Sequence, residues 1–200
     1  AFVGHSGCGK TTLINLLCGL YRPAEGKISI DREDLRSLKL DFLRSRIGVV
    51  TQDTVLFNKT IWENLLHGRD DASSTEVVSA AKDSRVDDFV KRFPEGYETV
   101  VGEGGARLSG GERQRISIAQ ALIRDPEILI LDEGTSGLDV ETEDFVLNSL
   151  CSSGKDFTLI LVAHRISTIK RADRIIVLDR GRVTEEGTWS YLMGTQGRLF

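Results

Sequence analysis

The sequence predicts an α/β protein in which a mostly parallel β-sheet is interrupted by a helical insertion. Two observations favour this fold. Short apolar runs that end in polar residues, typical of buried parallel strands, lie at 46–50, 127–132, 158–163 and 174–179. The intervening stretch 53–124 carries helical patterns instead. We therefore divide the chain into a sheet-containing core, 1–52 and 126–200, and a helical subdomain, 53–125.

Length and composition restrict the protein to a few classes. The 200 residues are enough for one domain with a full core, and 40% hydrophobic with 28% charged residues is ordinary for a soluble domain. The net charge of −4 lacks the basic footprint of nucleic-acid binders, so we expect no nucleic-acid partner. No apolar run approaches the roughly 20 residues of a membrane span. The 3 cysteines lack paired spacing, which argues against a disulfide framework and a zinc site.

The first strand is incomplete. Only the stub AFV precedes the first glycine-rich loop, and the chain does not begin with methionine. Because a loop of this kind normally follows a complete buried strand, we expect that N-terminal strands are truncated and that the chain is a piece of a longer protein.

A phosphate-binding loop precedes the first predicted helix. GHSGCGKT at 4–11 fits the pattern G-x-x-x-x-G-K-[ST] in full, after a strand stub and before an apolar helix. Lys10 should reach the β- and γ-phosphates, and the Thr11 hydroxyl should hold Mg²⁺. The residues predicted to bind the nucleotide are Gly4, His5, Ser6, Gly7, Cys8, Gly9, Lys10, Thr11 and Thr12. The sequence thus predicts a nucleoside triphosphate site.

Further segments have the apolar spacing of helices or the pattern of a turn. The predicted helices are Lys10–Gly19, Thr60–Leu66, Ser74–Ser84, Gly110–Arg124 and Glu141–Ser149. Capping boxes, in which Ser or Thr is followed three residues later by Glu, support the starts at Thr60 and Ser73. After the last apolar run, DRGRV at 179–183 predicts a turn into a short return strand.

A third capping box opens the stretch RLSGGERQRIS at 107–117. Ser109 and Glu112 form the box, yet Gly110 and Gly111 occupy the first turn, where glycine weakens a helix. A phosphate would account for the glycines, because bare backbone N–H groups at a helix start attract anions. The chain therefore has two candidate phosphate sites where one nucleotide would need only one.

Two adjacent acids follow the strand ILILD. Asp132 ends the strand beside the phosphate loop, where it can hold Mg²⁺. Glu133 can polarise an attacking water as general base, a role worth ~10²–10⁴ in rate. Acids are also favoured at an ordinary helix start, so the phosphate loop is what favours the functional interpretation. His164 and Gln52 each follow a predicted strand, and neither is distinctive alone.

Together these motifs resemble the nucleotide-binding domain of ATP-binding-cassette (ABC) transporters, over essentially the whole chain. In order they are a Walker A loop at 4–12, a Q-loop at Gln52, the signature LSGGERQR at 108–115, Walker B with its glutamate at 128–133, a D-loop at 136–139 and a switch histidine at His164. The signature is diagnostic, because other P-loop ATPases lack it. The resemblance implies a P-loop NTPase fold of the RecA-like kind that binds ATP and Mg²⁺.

The resemblance also implies why there are two helix starts. Two such domains pack head to tail around two ATPs, and each ATP lies on the Walker A loop of one subunit and against the signature of the other. Ser109, Gly110 and Gly111 would thus meet a γ-phosphate carried by the partner, and Asp139 would couple the two sites across the interface.

The remaining roles follow from the same resemblance. Gln52 would touch Mg²⁺ and the attacking water, and His164 would contact the γ-phosphate and orient that water. The implied catalytic residues are Lys10, Gln52, Glu133 and His164, and the implied metal ligands are Thr11, Gln52 and Asp132.

Two stretches resemble the exporter branch, in which the ATPase is fused behind a membrane domain. They are TQDTVLFNKTIWENL at 51–65 and TVVGEGGARLSGG at 99–111. This implies an export motor at the cytoplasmic face of a membrane, with a second nucleotide-binding domain and an upstream transmembrane domain as partners. The alternatives are the ATPase subunit of an importer, a soluble ABC ATPase acting on DNA or ribosomes, and a module that binds ATP and dimerises without turnover.

Several residues depart from the family's usual pattern. Gly134 and Gly137 stand where alanines are usual, which predicts a looser D-loop, and Gln120 stands where arginine is common. None touches a phosphate ligand, so we expect catalysis to be retained. The aromatic residues expected to pack in the core or the subdomain rather than against adenine are Tyr21, Trp62 and Tyr97.

Overall fold

A computed structural model of the protein describes residues 1–152 and 157–194. The strands are β1 (Phe2–Val3), β2 (Ser29–Ile30), β3 (Glu33–Asp34), β4 (Ile47–Thr51), β5 (Ile128–Asp132), β6 (Thr158–Val162), β7 (Ile175–Asp179) and β8 (Arg182–Gly187). The helices are α1 (Lys10–Leu17), α2 (Leu40–Ser45), α3 (Ile61–Leu66), α4 (Ser74–Asp83), α5 (Val86–Val90), α6 (Gly110–Ile123), α7 (Val140–Ser152), α8 (Ile166–Ile169) and α9 (Trp189–Gly194).

The main sheet has the spatial order β4-β5-β6-β1-β7-β8, in which β4 to β7 are parallel and β8 returns antiparallel to β7. The carboxyl ends of neighbouring strands are in register. Thr51 lies opposite Asp132, which lies opposite Val162. Val162 in turn lies opposite Phe2. The residues that follow β4, β5, β6 and β1 therefore meet at one edge of the sheet, where open α/β sheets bind ligands.

Both faces of the sheet are covered, which accounts for its continuous apolar runs. On β5, Leu129 and Leu131 belong to one buried cluster while Ile130, between them, belongs to another. The second cluster includes Ile14 of α1 and Leu43 of α2. The first cluster combines the sheet with α7 and with the helices of 53–125, so these helices share their core with the sheet.

The predicted elements are present, with ends shifted by a few residues. The first helix ends at Leu17 rather than Gly19, because Gly19 leaves the helix with φ +65°. The hairpin β2–β3 and the helices α2, α5, α8 and α9 were not predicted, since such short elements show no periodicity. The division at 52/53 and 125/126 stays a prediction, and positions 153–156 and 195–200 of the predicted core lie outside the described residues.

The aromatic residues divide into packed and exposed ones. Trp62 and Tyr97 pack edge to face at 5.8 Å between ring centroids, against the larger core cluster. Tyr21 is 60% exposed, so its predicted place in the core is wrong. It lies in the turn after α1, beyond the helix face that packs on the sheet.

In the described parts of the chain, no helix combines the length and the apolar character required to cross a bilayer.

Candidate functional site

The phosphate loop joins β1 to α1 and contacts the end of β7 and the β7–β8 turn. Gly4 has φ +155°, and a Cβ there would lie 2.2 Å from the carbonyl oxygen of Leu178, so only glycine fits. The Gly181 N–H donates to the carbonyl of Cys8 (2.9 Å). At the N-terminus of α1, Gly9 has φ +111° and provides no side-chain cap. The first-turn amides of α1 are therefore open to a ligand.

Lys10 places a positive charge inside this loop. Its side chain is 7% exposed, and Nζ donates to the carbonyls of Gly4 (2.8 Å) and His5 (3.0 Å). No acidic residue stands in the first turn of α1. The ammonium, the open amides and the helix dipole all favour an anion at this position.

Asp132 fits the predicted role of metal ligand. Burial raises the pKa of its carboxyl, the neighbouring charge of Glu133 raises it further, and Lys10 opposes both effects. No group in 1–152 or 157–194 donates a hydrogen bond to this half-buried carboxylate. A divalent cation would relieve its desolvation, and the Thr11 hydroxyl is exposed on the first turn of α1. The residues present therefore fit Mg²⁺, and the assignment of ligands stays a prediction.

Glu133 and His164 lie together, each just after one of the neighbouring strands β5 and β6. His164 Nε2 is 2.9 Å from Glu133 Oε1. Glu133 has φ +54°, a left-handed conformation that is strained for a residue other than glycine, and such strain clusters at functional sites. Its N–H donates to the carbonyl of Val162 (3.0 Å), which ties it to the strand that leads to His164.

Gln52 reaches the same edge of the sheet. It is exposed directly after β4, whose last residue Thr51 is in register with Asp132. The structure thus places the phosphate loop, Gln52, the two acids and His164 at one edge of the sheet.

The signature residues form a separate feature. Among the described residues, no hydrogen bond joins 109–111 to the loop at 4–12. Ser109 and Glu112 close the predicted capping box, through Ser109 N–H to Glu112 Oε2 (2.8 Å) and Glu112 N–H to Ser109 Oγ (3.3 Å). Glu112 also forms an ion pair with Arg92. Ser109 and Gly110 are exposed, so a ligand from outside the chain can reach them.

The D-loop is not loose. A Cβ on Gly134 would lie 2.9 Å from Val50 Cγ1, and the Gly137 N–H donates to Gln114 Oε1 (2.8 Å). The prediction from the two glycines is therefore wrong, because Gly134, just before the loop, packs against β4, and Gly137, within the loop, is hydrogen-bonded to α6.

Asp139 ends the D-loop as a helix cap. It accepts from the Thr142 N–H (2.9 Å) and from the Thr142 hydroxyl (2.7 Å). These bonds, the backbone one first, lower the pKa of its carboxyl. Its coupling role across a dimer interface stays a prediction.

One buried carboxylate was missed by the sequence analysis. Glu143 of α7 is 2% exposed and accepts from the hydroxyls of Thr135 (2.7 Å) and Thr168 (2.8 Å) and from Arg165 Nη1 (2.6 Å). It therefore joins the loop after Glu133 to the segment after His164. A charged residue on the apolar face of α7, three residues before Val146, was the pattern that could have revealed it.

A model of the ABC transporter family matches residues 1–136, more than half of the chain. The chain belongs to the ABC transporter family. It is 49% identical over 200 residues to the ATP-dependent lipid A-core flippase of Syntrophus aciditrophicus (strain SB), covering all of this chain and 33% of that protein. It is 44% identical to P-glycoprotein 14 of Caenorhabditis elegans, covering all of this chain and 15% of that protein.

A solved structure agrees with this membership of the ABC family. The structure of a bacterial Atm1-family ABC exporter with ATP bound superposes with a TM-score of 0.95 and 46% identity, over 99% of this chain and 35% of that one. The chain thus spans about a third or less of the length of these relatives. The predicted P-loop NTPase fold, the ABC family and the assignment as an ATPase domain are confirmed, and the roles of single residues stay predictions.

Proposed function

We propose that this ABC domain is the motor of an ATP-driven exporter, working as a head-to-tail dimer with a second nucleotide-binding domain around two Mg-ATP molecules. The observation that carries the proposal is the Glu133–His164 pair, 2.9 Å apart at the sheet edge where the phosphate loop begins. The names of two relatives, a flippase and an exporter, support export as the direction of transport. The domain would then lie at the cytoplasmic face of a membrane, against a transmembrane domain.

Hydrolysis in this proposal depends mainly on positioning and charge. Lys10 and the amides of α1 bind the phosphates, and Thr11, Gln52 and Asp132 hold Mg²⁺. When bound, the metal neutralises charge that develops on the phosphate oxygens.

Glu133 and His164 act on the attacking water. The water oxygen bonds to the γ-phosphorus while the bond from that phosphorus to the β–γ bridging oxygen breaks, which yields ADP and phosphate. Glu133 accepts the proton that the water loses, and His164 orients the water and contacts the γ-phosphate.

The second subunit would complete each site. Ser109 and the N–H groups of Gly110 and Gly111 would bind the γ-phosphate of the ATP on the partner. The exposure of Ser109 and Gly110, and the separation of all three residues from the phosphate loop, support this arrangement. Asp139, at the end of the adjacent loop, would contact the partner domain.

Light scattering on a Glu133→Gln variant, with the natural flanking residues of the domain, tests the proposal. The substitution removes the base, so ATP should bind and persist. We expect a monomer without nucleotide, a dimer with Mg-ATP, and a monomer again when Ser109→Arg is added. Phosphate release should fall by ~10²–10⁴ in the Glu133→Gln variant. A species whose mass does not respond to Mg-ATP, or unchanged phosphate release, would contradict the proposal.

A further inference from the structure

The loop that follows Glu133 is attached to the signature helix by one buried side chain. Gln114 of α6 is 3% exposed. Its Nε2 donates to the carbonyl of Glu133 (3.2 Å), and its Oε1 accepts from the N–H of Gly137 (2.8 Å). Because the amide uses its donor and its acceptor on two points of the same loop, its orientation is determined by both partners.

The same face of α6 touches the loop a second time. A Cβ on Gly111 would lie 2.9 Å from the carbonyl oxygen of Gly137, so this glycine permits a close backbone approach. Gly111 and Gln114 are neighbours on one face of the helix. Consequently α6 and the loop cannot slide past one another without breaking these contacts.

The backbone of Glu133 depends on such support. Its φ of +54° is unfavourable for glutamate, and the side chain that leaves the backbone here has its Oε1 2.9 Å from His164 Nε2. Its carbonyl accepts from Gln114 and from the N–H of Ser136 (2.9 Å). Loss of the Gln114 donor would leave this strained residue freer to rotate and would move its carboxylate.

We propose that Gln114 is a positioning residue for hydrolysis: it holds the Glu133 backbone so that the carboxylate faces the attacking water, and it thereby couples the two ATP sites of the dimer. The inference rests on the proposed function. In a head-to-tail dimer the N-terminus of α6 meets the partner's ATP, whereas Glu133 acts on the ATP of its own chain. A displacement of α6 at one site is transmitted through Gln114 to the base of the other.

The chain provides a matched control on the same helix. Gln120 is also partly buried and donates through Nε2 to the carbonyl of Asn64 (2.7 Å), within the helical segment and not at the ATP loops. Gln114→Leu and Gln120→Leu each remove a side-chain amide from α6. Gln114→Glu keeps the acceptor for Gly137 and loses the donor to Glu133, and it serves as the second variant if Gln114→Leu does not fold.

ATP hydrolysis by the complete natural protein is measured for each variant, with thermal denaturation beside it. We expect kcat to fall about 10- to 100-fold in both Gln114 variants, with KM for ATP little changed, because a small misplacement of a catalytic group has effects of this size. Gln120→Leu should lower the melting temperature as much as Gln114→Leu does, and leave kcat close to that of the unsubstituted protein.

A double substitution separates positioning from general damage. If Gln114 acts through Glu133, adding Gln114→Leu to Glu133→Gln should not reduce the residual hydrolysis further. A further reduction of the same size as in the single variant, or equal kcat in the Gln114 and Gln120 variants, would overturn the inference and leave the proposed function intact. An unsubstituted protein that does not hydrolyse ATP would overturn both.

Discussion

The chain contains two helix N-termini suited to phosphate, and they are built differently. The start of α1 has Gly9 as its N-cap, without a side-chain cap and without an acidic first-turn residue. The start of α6 has Ser109 as its N-cap, and a capping box with Glu112. In the described structure three first-turn amides are left open on α1, at 10–12, whereas on α6 the box leaves two, at 110 and 111.

This difference indicates how each end obtains its stability. The first turn of α1 is incomplete without an anion, and Lys10 supplies the charge that attracts one. The first turn of α6 is stabilised within the chain, so it persists before any partner arrives. In the proposed dimer this end of α6 needs such a cap, because its phosphate ligand would be absent whenever the dimer is open.

The largest expected effect comes from removing the positive side chain at the start of α1, and the matched substitution at the start of α6 serves as its comparison. Lys10→Met should lower ATP hydrolysis by ~10²–10³, the usual cost of removing one preorganised group at a developing charge. Arg113→Met should have a small effect, because the proposed phosphate contacts of α6 are Ser109 and two backbone N–H groups, and Arg113 Nη1 donates to the Leu108 carbonyl within its own segment (2.7 Å). Phosphate-release rates compare the two, and equal losses would mean that the two ends use basic side chains alike.

Two substitutions of Ser109 distinguish its role as helix cap from its proposed role in binding phosphate. Ser109→Asp retains a good N-cap but brings a carboxylate against the γ-phosphate, so ATP-driven dimerisation in the Glu133→Gln background should weaken by about 1.5–3 kcal/mol while stability is kept. Ser109→Ala should lower the free energy of unfolding by about 1 kcal/mol and weaken dimerisation less. Light scattering and urea denaturation measure the two quantities. If the Ser109→Asp variant dimerised with ATP as well as the parent does, the proposed contact between the signature and the γ-phosphate would be wrong.

Substitutions of the two signature glycines should change the free energy of unfolding in opposite directions. Gly111→Ala places a methyl group 2.9 Å from the Gly137 carbonyl and should cost about 1–3 kcal/mol. Gly110→Ala meets only the end of the Arg113 side chain at 3.9 Å, so it should stabilise the helix by about 0.5–1 kcal/mol. Urea denaturation without nucleotide tests this pair. Equal losses would indicate that the loop does not contact Gly111 in solution.

The smallest effect concerns the acid opposite Lys10. The folded state raises the pKa of Asp132, so it binds a proton more readily than the unfolded state does. Without Mg²⁺, the free energy of unfolding should therefore gain from this residue as pH falls through the folded pKa, and lose that gain as pH rises.

Asp132→Asn provides the check on that acid. It should raise the melting temperature at neutral pH without metal and remove the contribution of Asp132 to the pH dependence of stability. It should also abolish stabilisation by Mg²⁺ with ATP. Melting curves across pH, with and without Mg²⁺, measure this. A variant less stable than the natural chain at neutral pH would contradict a desolvated carboxylate.

Much of the site could be predicted from the sequence because its chemistry is local. The spacing of Gly4, Gly9 and Lys10 predicts a phosphate loop, and the acid pair after β5 predicts a metal ligand and a base. The resemblance gives Glu133 and His164 roles on the same water, and the structure brings them to one edge of the sheet because they follow parallel neighbouring strands. The capping boxes at Thr60, Ser73 and Ser109 are also local, and all three are present.

The sequence by itself determined the phosphate loop and the identity of both helix starts, because each depends on residues close together in the chain. The order of such local motifs and strands along the chain then determined the family and the fold class. Only the tertiary structure decided that the D-loop is tightly held, that Glu143 is buried between two loops, and that Gln114 joins the signature helix to Glu133. The hydrogen bonds among those contacts link residues 8 to 25 positions apart, and the approach of Gly134 to Val50 spans a still longer stretch of the chain. No periodicity or spacing records which side chain reaches which carbonyl across such a distance, since that depends on how α6, α7 and the sheet pack.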